Sequence, residues 1–204
     1  MPHDSYKTIK AIVETELKEK GSRFICRAKP VSTREQAKNF ISSICQKHYD
    51  ATHNCYAYCI GRDKDIITRY NDDGEPAGTA GKPILQAITT RGLTNVVVVV
   101  TRYFGGTKLG TGGLVRAYGG TAVLALDKAE IIVEYLKTNV KIVYTYQFSN
   151  LVRNLIDKYN ADIITTDYGD LVQQNIKIRK NKTKDFINQL TNKSSGKVQV
   201  IVIN

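Results

Sequence analysis

A chain of 204 residues with a formal net charge of +11 has room for one large domain or two small ones. No apolar run approaches the roughly 20 residues that cross a bilayer, and the N-terminal residues lack the hydrophobic region of a secretory signal, so we expect a cytoplasmic protein without a membrane segment. The four cysteines match no zinc spacing and are expected to be buried thiols in a reducing compartment. The positive charge favours a polyanionic partner, with plain solubility as the alternative.

The first half of the chain mixes strands and helices. Periodicity predicts opening strands at residues 9–13 and 24–28, joined by a turn at 18–21, and then a helix over 33–48 with Ser32 and Glu35 as its capping box. Further strands are predicted at 53–60 and 66–70, with a turn at 61–65 between them. A helix over 83–90, a buried strand at 95–103 with five valines in a row, and a long helix over 112–128 follow.

The second part of the chain has a simpler pattern, because residues 136–204 contain only two glycines and no proline. The pattern predicts strands at 140–147, 161–167, 170–179 and 197–203, and helices at 150–159 and 183–191. The resulting order βαββαβ is that of a ferredoxin-like unit. We therefore predict an α+β protein of two domains, residues 1–135 and 136–204, joined near residues 133–138.

Glycine is concentrated in one region, since eleven of the fifteen glycines lie between Gly74 and Gly120. Glycine lets the backbone approach a ligand closely but costs conformational entropy. A Walker loop is excluded because Pro83 follows Gly81-Lys82 where a Ser or Thr is required, and a Rossmann fingerprint is excluded by Val115. The region between the valine strand and the long helix remains a looser candidate for anion binding, because a helix N-terminus offers unpaired N–H groups. Its residues are Gly105, Gly106, Lys108, Gly110, Gly112 and Gly113. The alternative is that these glycines only let the helix pack closely on the sheet.

An acidic loop precedes that region. Its carboxylates belong to Asp72, Asp73 and Glu75, which suit a metal, an acid–base pair or ordinary turn chemistry. Carboxylates this close repel one another unless a positive group is near, so we expect them to pair with Lys82, Arg102 or Lys108, and we expect Lys82 and Arg102 to orient the loop beside the anion site. His53 is a candidate member of the same polar site, either moving protons or serving as a structural histidine.

The domain predicted for residues 136–204 carries a basic edge. Its members are Lys177, Arg179, Lys180, Lys182 and Lys184. Nearby tyrosines offer stacking surfaces of the kind that single-stranded RNA uses. A solvated charged face is the alternative interpretation.

With these residues in view, the chain resembles the IMPACT family in its two-domain bacterial YigZ branch. The resemblance rests on four segments: KGSRF from Lys20, ATHNCYA from Ala51, DDGEPAGTAGKPIL from Asp72, and VTRYFGGTKLGTGGLVRAYGG from Val100. It implies an N-terminal domain with the β-α-β superfold of the fourth domain of elongation factor G, and a ferredoxin-like C-terminal domain similar to the fifth. Asn54 departs from the pattern, because some relatives carry a second histidine there.

The resemblance also implies a role in translation. Eukaryotic relatives of the N-terminal domain regulate translation initiation and associate with ribosomes, and nucleic-acid or ribosome binding is the corresponding expectation for the bacterial branch. Our first hypothesis is therefore a non-catalytic regulatory protein that binds RNA or the ribosome, with no metal and no cofactor. The rival is an enzyme that acts on a phosphorylated small molecule or a peptide through Asp72, Asp73, Glu75 and His53. A third hypothesis is an interaction module for a translation factor.

Overall fold

The computed structural model describes residues 4–62 and 65–203, so the turn predicted at 61–65 lies partly outside the described residues. The chain forms two compact units, one made of Tyr6–Glu134 and the other of residues 135–203 together with Asp4 and Ser5. Among the described residues, no helix is both long and apolar enough to cross a membrane.

The first unit contains a five-stranded antiparallel sheet and three helices. Its elements are β1 (Ser5–Ile9), β2 (Val13–Glu19), β3 (Ser22–Pro30), α1 (Arg34–Lys47), β4 (His53–Ile60), β5 (Ile67–Asn71), α2 (Gly81–Thr89), β6 (Val96–Tyr103), α3 (Gly110–Lys128) and β7 (Ile131–Tyr135). The sheet has the order β2-β3-β6-β4-β5, while β1 and β7 form a separate pair. Val96, Val98 and Val100 face a core formed with α2 and α3, and Val97 and Val99 face a second core formed with α1. Strand β6 is thus buried on both faces, which explains its run of valines.

A tight turn joins β2 to β3 and places the glycine-rich loop. Lys20 and Gly21 both have positive φ, 45° and 80°, as a two-residue hairpin turn of type I′ requires. A Cβ atom on Gly105 would lie 1.8 Å from the carbonyl carbon of Gly21. Glycine is therefore required at residue 105 because the start of the loop after β6 lies directly on this turn.

The second unit has the ferredoxin-like architecture. Its elements are β8 (Lys137–Tyr144), a 3-10 turn (Tyr146–Phe148), α4 (Ser149–Tyr159), β9 (Asp162–Tyr168), β10 (Val172–Arg179), α5 (Lys180–Lys193) and β11 (Gln199–Ile203). The antiparallel sheet has the order β11-β8-β10-β9. Its core joins Val140, Ile142, Ile176 and Ile178 of the sheet to Val152 and Leu155 of α4 and Phe186 and Leu190 of α5. The predicted α+β class and the βαββαβ order are confirmed.

Two local predictions were wrong. The strand predicted at residues 9–13 is the end of β1 and the start of β2, with Ile12 exposed in the connection. The N-cap lies one residue later than Ser32, because Thr33 has extended backbone angles and its Oγ1 accepts the N–H of Gln36 at 3.1 Å. The division between the two units falls between Glu134 and Tyr135, and residues 133–138 lie mostly in β7 and β8.

Candidate anion-binding site

The acidic loop, residues 71–80, supplies the cap of α2. Oδ1 of Asp72 accepts N–H groups from Ala80 at 3.0 Å and Gly81 at 2.8 Å, and Oδ2 accepts the N–H of Gly78 at 2.9 Å. Burial by itself raises the pKa of Asp72, but these backbone donors outweigh it and hold the pKa below its ordinary value. The N-terminus of α2 therefore already has its anion within the chain.

Glu75 is the buried member of the loop and is paired with Arg102. Arg102 donates through Nη1 to Oε1 of Glu75 at 2.6 Å, and less than a tenth of either side chain is exposed. Tyr118 donates its hydroxyl to the same oxygen at 2.8 Å. The predicted pairing of an acidic-loop carboxylate with Arg102 is confirmed. The same pair commits Arg102 to an internal partner, so this side chain does not belong to an exposed anion-binding surface.

Asp73 is hydrogen-bonded to His53 and to the backbone of the next residue of β4. Oδ2 of Asp73 accepts the N–H of Asn54 at 2.6 Å, and the carbonyl of Asp73 accepts from Nδ1 of His53 at 2.6 Å. A carbonyl only accepts, so Nδ1 carries the proton, while Nε2 lies 3.8 Å from Oε1 of Glu75. No group of three or more His, Cys, Asp or Glu among residues 4–62 and 65–203 is arranged to hold a metal. The carboxylates of the loop are thus occupied by donors from the chain.

The N-terminus of α3 contrasts with that of α2. Its N-cap residue, Leu109, makes no side-chain capping bond, and its first turn contains no acidic residue. The preceding residues 104–108 are all exposed, Lys108 among them. Since the first N–H groups of a helix carry a partial positive charge, this end of α3 is suited to an anion from outside the chain.

The predicted glycines around this helix end have different roles. Gly105 is required by its contact with Gly21, and a Cβ atom on Gly113 would lie 3.0 Å from Cβ of Leu109. Gly106 and Gly110 have positive φ, 84° and 71°, with open space beside them. At Gly112 neither reason applies, because a Cβ atom there would meet only Nη1 of Arg116 at 3.6 Å. The open side of Gly112 is where a ligand could approach the backbone.

Sequence reasoning missed two cations at this end of α3. A cleft of about 200 Å³ lies beside the first turns of the helix, and its lining includes Lys20, Gly113 and Arg116 together with the acidic residue Glu19. The spacing from Gly112 to Arg116, one helical turn, was a signal that could have found Arg116. Lys20 had no such signal, because only the contact of its turn with Gly105 brings it here. Lys82 is exposed in the first turn of α2 and does not line the cleft.

The basic edge of the second unit is divided between paired and unpaired residues. Arg179 donates through Nε and Nη2 to the two carboxylate oxygens of Asp4, each at 2.8 Å, and this bidentate bond lowers the pKa of Asp4 to about 2. Lys177 is exposed on β10. Lys180, Lys182 and Lys184 lie in the first two turns of α5. The first turn contains no acidic residue of its own, but Asp185 follows Lys184, and Asp4 accepts the N–H of Asn181 at 3.2 Å. The unpaired cations thus gather at a helix N-terminus, a position that favours negative charge.

Comparisons with known proteins agree over both units. Residues 20–126 match the family model of the Impact N-terminal domain, and residues 143–197 match a domain of unknown function, DUF1949. The chain is 37% identical over 196 residues to the IMPACT family member YvyE of Bacillus subtilis, covering 96% of this chain and 90% of that protein. It is 36% identical over 185 residues to the IMPACT family member YigZ of Escherichia coli, covering 90% and 91%. A crystal structure described as that of a hypothetical protein matches with a TM-score of 0.75 at 34% identity, covering 98% of each chain.

Proposed function

The chain belongs to the IMPACT family, and from that premise we propose that it is a cytoplasmic regulatory protein of translation that binds RNA or the ribosome. The observation that carries the proposal is the contrast between two helix ends. The N-terminus of α2 is occupied by Asp72, whereas that of α3 has no side-chain cap and no acidic residue in its first turn. It is accompanied by Lys20, Lys108 and Arg116, with Glu19 lining the same cleft. An RNA phosphate is the anion that suits both the site and the resemblance.

The chemistry of the first surface fits a phosphate backbone. Unpaired helix N–H groups and nearby cations together bind phosphate oxygens. Gly106 and Gly110 leave open space beside the backbone, and only Nη1 of Arg116 lies near the open side of Gly112, so a phosphate can approach the backbone closely. Contacts of this kind fix position without reading sequence. We therefore expect binding that depends on salt and varies little with the order of bases.

A second surface, in the other unit, supports the same function. Lys177 of β10 is joined by Lys180, Lys182 and Lys184 of α5. Cations near a helix N-terminus destabilise the helix, typically by about 0.3–1 kcal/mol each when exposed. A cluster that opposes the helix dipole is readily explained if it serves a polyanion. Arg179 is left out of this surface because Asp4 neutralises it.

The rival hypotheses differ in their support. The enzymatic one is not supported, because the carboxylates of Asp72, Asp73 and Glu75 are bonded to groups of the chain itself. Binding of a translation factor through the glycine-rich loop is a separate outcome that nuclease treatment distinguishes. Association that requires intact RNA belongs to our proposal, whereas association with a purified factor that persists after nuclease belongs to the alternative.

Co-sedimentation with ribosomes tests the proposal. We expect the protein to pellet with ribosomes at about 50 mM salt and to be largely released at about 200 mM, since phosphate contacts weaken steeply over this range. In the double variant Lys108→Gln/Arg116→Gln, the slope of log affinity against log salt should fall by about 2, roughly 1 for each lost phosphate contact. Lys128→Gln removes one charge at the opposite end of the same helix and serves as the control.

The same measurement can reject the proposal. A double variant that sediments like the wild-type chain at every salt concentration would show that the α3 surface makes no phosphate contact. Failure of the wild-type chain to sediment at low salt would reject ribosome binding altogether. Free ribosomal RNA, run in parallel, separates binding of loose RNA from binding of the particle.

A further inference from the structure

The second unit contains a cavity that the surfaces described above do not use. It has a volume of about 490 Å³ and lies where α4 meets the side of the sheet formed by β9 and β10, within the range of about 300–1,000 Å³ typical of small-molecule sites. Strand β9 is at the edge of the sheet and is exposed along most of its length. The cavity is therefore open to solvent along this edge.

The floor of the cavity is polar where an apolar floor would be expected. On the face of β10 that packs against the helices, Val172, Ile176 and Ile178 are at most 1% exposed, but Gln174 interrupts this apolar row. Its Oε1 accepts the hydroxyl of Tyr144 at 2.9 Å, and its Nε2 donates to Oγ1 of Thr166 at 3.2 Å. Burying an amide is costly unless it is hydrogen-bonded. The three side chains therefore form a prearranged polar group at the base of the cavity.

The polar groups at the base of the cavity have donors and acceptors that are not used within the protein and can bond to a ligand. The amide of Gln174 has two donor hydrogens and the bond to Thr166 uses one of them. The hydroxyl hydrogen of Thr166 is a second donor, and the hydroxyl oxygen of Tyr144 is an acceptor. A flat ligand whose edge carries both donors and acceptors matches such a set. A purely apolar ligand does not, because it would leave the amide and hydroxyl groups without partners.

The walls of the cavity offer a stacking surface and a cation. Tyr168 lines it, is 75% exposed, and stacks on no other ring among the described residues. Ile163 adds an apolar wall and is half exposed. Arg153 lies on α4 at the same cavity, is exposed, and forms no ion pair within the described part of the chain. Asp157, one helical turn further along α4, also lines the cavity. An aromatic plane, an adaptable polar edge and a free guanidinium are thus brought to one place.

We propose that this cavity binds one nucleotide, with its base stacked on Tyr168, the edge of the base hydrogen-bonded to Gln174 and Thr166, and its phosphate on Arg153. Stacking on an aromatic side chain with hydrogen bonds to the base edge is how proteins read unpaired bases. The nucleotide can be free in solution or an unpaired nucleotide of RNA. Only the second case rests on the proposed function, and the experiment separates the two.

The test is amide chemical-shift mapping of the ¹⁵N-labelled full chain. The probes are AMP, GMP, CMP and UMP, followed by a mixed-sequence single-stranded RNA hexamer and an abasic hexamer with the same backbone. We expect saturable shifts at Arg153, Thr166 and Gln174. Tyr168→Ala should weaken binding about tenfold or more, as loss of base stacking does. Tyr49→Ala, which removes an even more exposed tyrosine of the first unit, should change nothing. Arg153→Gln should weaken AMP binding but leave adenosine binding unchanged.

Every outcome of this titration either supports the nucleotide site or overturns it. Saturation by a mononucleotide assigns a free-nucleotide site, and saturation by the RNA hexamer alone assigns an unpaired RNA nucleotide. No shift in the cavity with any probe, equal shifts with the abasic hexamer, or affinity unchanged in Tyr168→Ala overturns the proposal. The variant Lys108→Gln/Arg116→Gln should retain the mononucleotide shifts. A failure of the α3 surface is therefore distinguishable from a failure of the cavity.

Discussion

At the scale of single residues, the buried polar side chains of the first unit are held by hydrogen bonds that fix their protonation states. The clearest example is the imidazole of His48. Arg27 donates through Nη1 to Nε2 of His48 at 2.7 Å and through Nε to Glu14 at 2.6 Å. Because Nε2 accepts, Nδ1 carries the proton and donates to the hydroxyl of Tyr103 at 2.9 Å, which in turn donates to Asp50. A second proton on His48 would break the bond from Arg27 and place two cations in contact.

This arrangement predicts a loss of stability in mild acid. Burial, followed by the charge of Arg27, lowers the pKa of His48 below the ordinary value of 6.5. The unfolded chain therefore binds a proton before the folded chain does as the pH falls. The stability contributed by neutral His48 is complete above about pH 6.5 and is lost as the pH falls through the lowered folded-state pKa, with a slope of at most about 1.4 kcal/mol per pH unit.

Urea unfolding at several pH values between about 7.5 and 5 checks this prediction. We expect the midpoint of the wild-type chain to decline over that range, and His48→Gln, which keeps an acceptor and a donor but cannot be protonated, to decline less. Carboxylates such as Asp72 and Asp4, whose pKa values are lowered, titrate below this range and do not interfere. Equal slopes for the two proteins would show that His48 is not the titrating group.

At the scale of elements, the N-termini of α2, α3 and α5 differ in the charged groups that lie beside them. That of α2 is capped by Asp72, and that of α3 has no side-chain cap and no acidic residue in its first turn. At that of α5, Asp4 accepts the N–H of Asn181, and three lysines lie in the first two turns. A helix dipole favours anions at its N-terminus. The lysines near the N-terminus of α5 therefore interact unfavourably with the helix dipole. Replacing one of them should have opposite effects on the stability of the protein and on its affinity for RNA.

We predict that Lys182→Glu stabilises the protein while weakening its affinity for RNA. Replacing a cation by an anion in the first turn should raise the free energy of unfolding by about 0.3–1 kcal/mol, measured by urea denaturation. Filter binding to a single-stranded RNA should give a lower affinity and a shallower salt dependence. Lys193→Glu, at the C-terminus of the same helix, is the matched control and should reduce stability. A Lys182→Glu variant with unchanged RNA affinity would exclude this surface from binding.

The type and order of most helices and strands could be predicted from the sequence, because they depend on the local spacing of apolar residues. The βαββαβ order of the second unit follows from alternation and helical spacing, and the buried β6 follows from its valines. Local patterns were insufficient where two elements share a stretch, as at residues 9–13, or where adjacent residues compete for a cap, as at Ser32 and Thr33. They also showed that Arg102 was near an acidic loop, but its burial against Phe24 depends on the pairing of β3 with β6.

The candidate site was predictable in part for the same reason. The glycines and Lys108 are adjacent in sequence, so their helix end could be found. Lys20 is far from them in the chain and reaches the site through the contact of Gly21 with Gly105. The cavity of the second unit was missed, although Gln174 in an apolar row of β10 was a visible signal. A polar residue at a core position is informative only once the neighbouring strand and helix are known.

At the scale of the whole molecule, the formal charge of +11 is an excess that ion pairing within the chain cannot remove, because 30 lysines and arginines face 19 aspartates and glutamates. Ion pairs in the described residues use Asp4, Glu14, Glu16, Glu75, Asp127, Glu130 and Asp162. Many of the lysines in residues 4–62 and 65–203 are exposed and form no ion pair. Such an excess repels itself and destabilises the compact state, while it attracts polyanions from a distance.

We predict that the apparent melting temperature rises with salt and rises further with phosphate. Between about 20 and 200 mM KCl the Debye length shortens to less than about 10 Å, which relieves repulsion among the exposed lysines. A gain of about 1 kcal/mol corresponds to roughly 2–4 °C for a chain of this size. Weakening of the exposed ion pairs opposes this gain, but each is worth no more than about 1 kcal/mol. Differential scanning calorimetry in KCl and in potassium phosphate of equal ionic strength measures both effects.

The comparison of the two salts separates general screening from a specific site. An anion bound to the folded chain alone stabilises it by mass action, so phosphate should give a higher melting temperature than chloride at equal ionic strength. Phosphate also strengthens burial by exclusion from the protein surface, and this general part should persist in any variant. The part due to the α3 surface should disappear in Lys108→Gln/Arg116→Gln and remain in Lys128→Gln. If the phosphate increment is the same in both variants, no phosphate binds at the N-terminus of α3, and the excess charge acts only through the general field of the molecule.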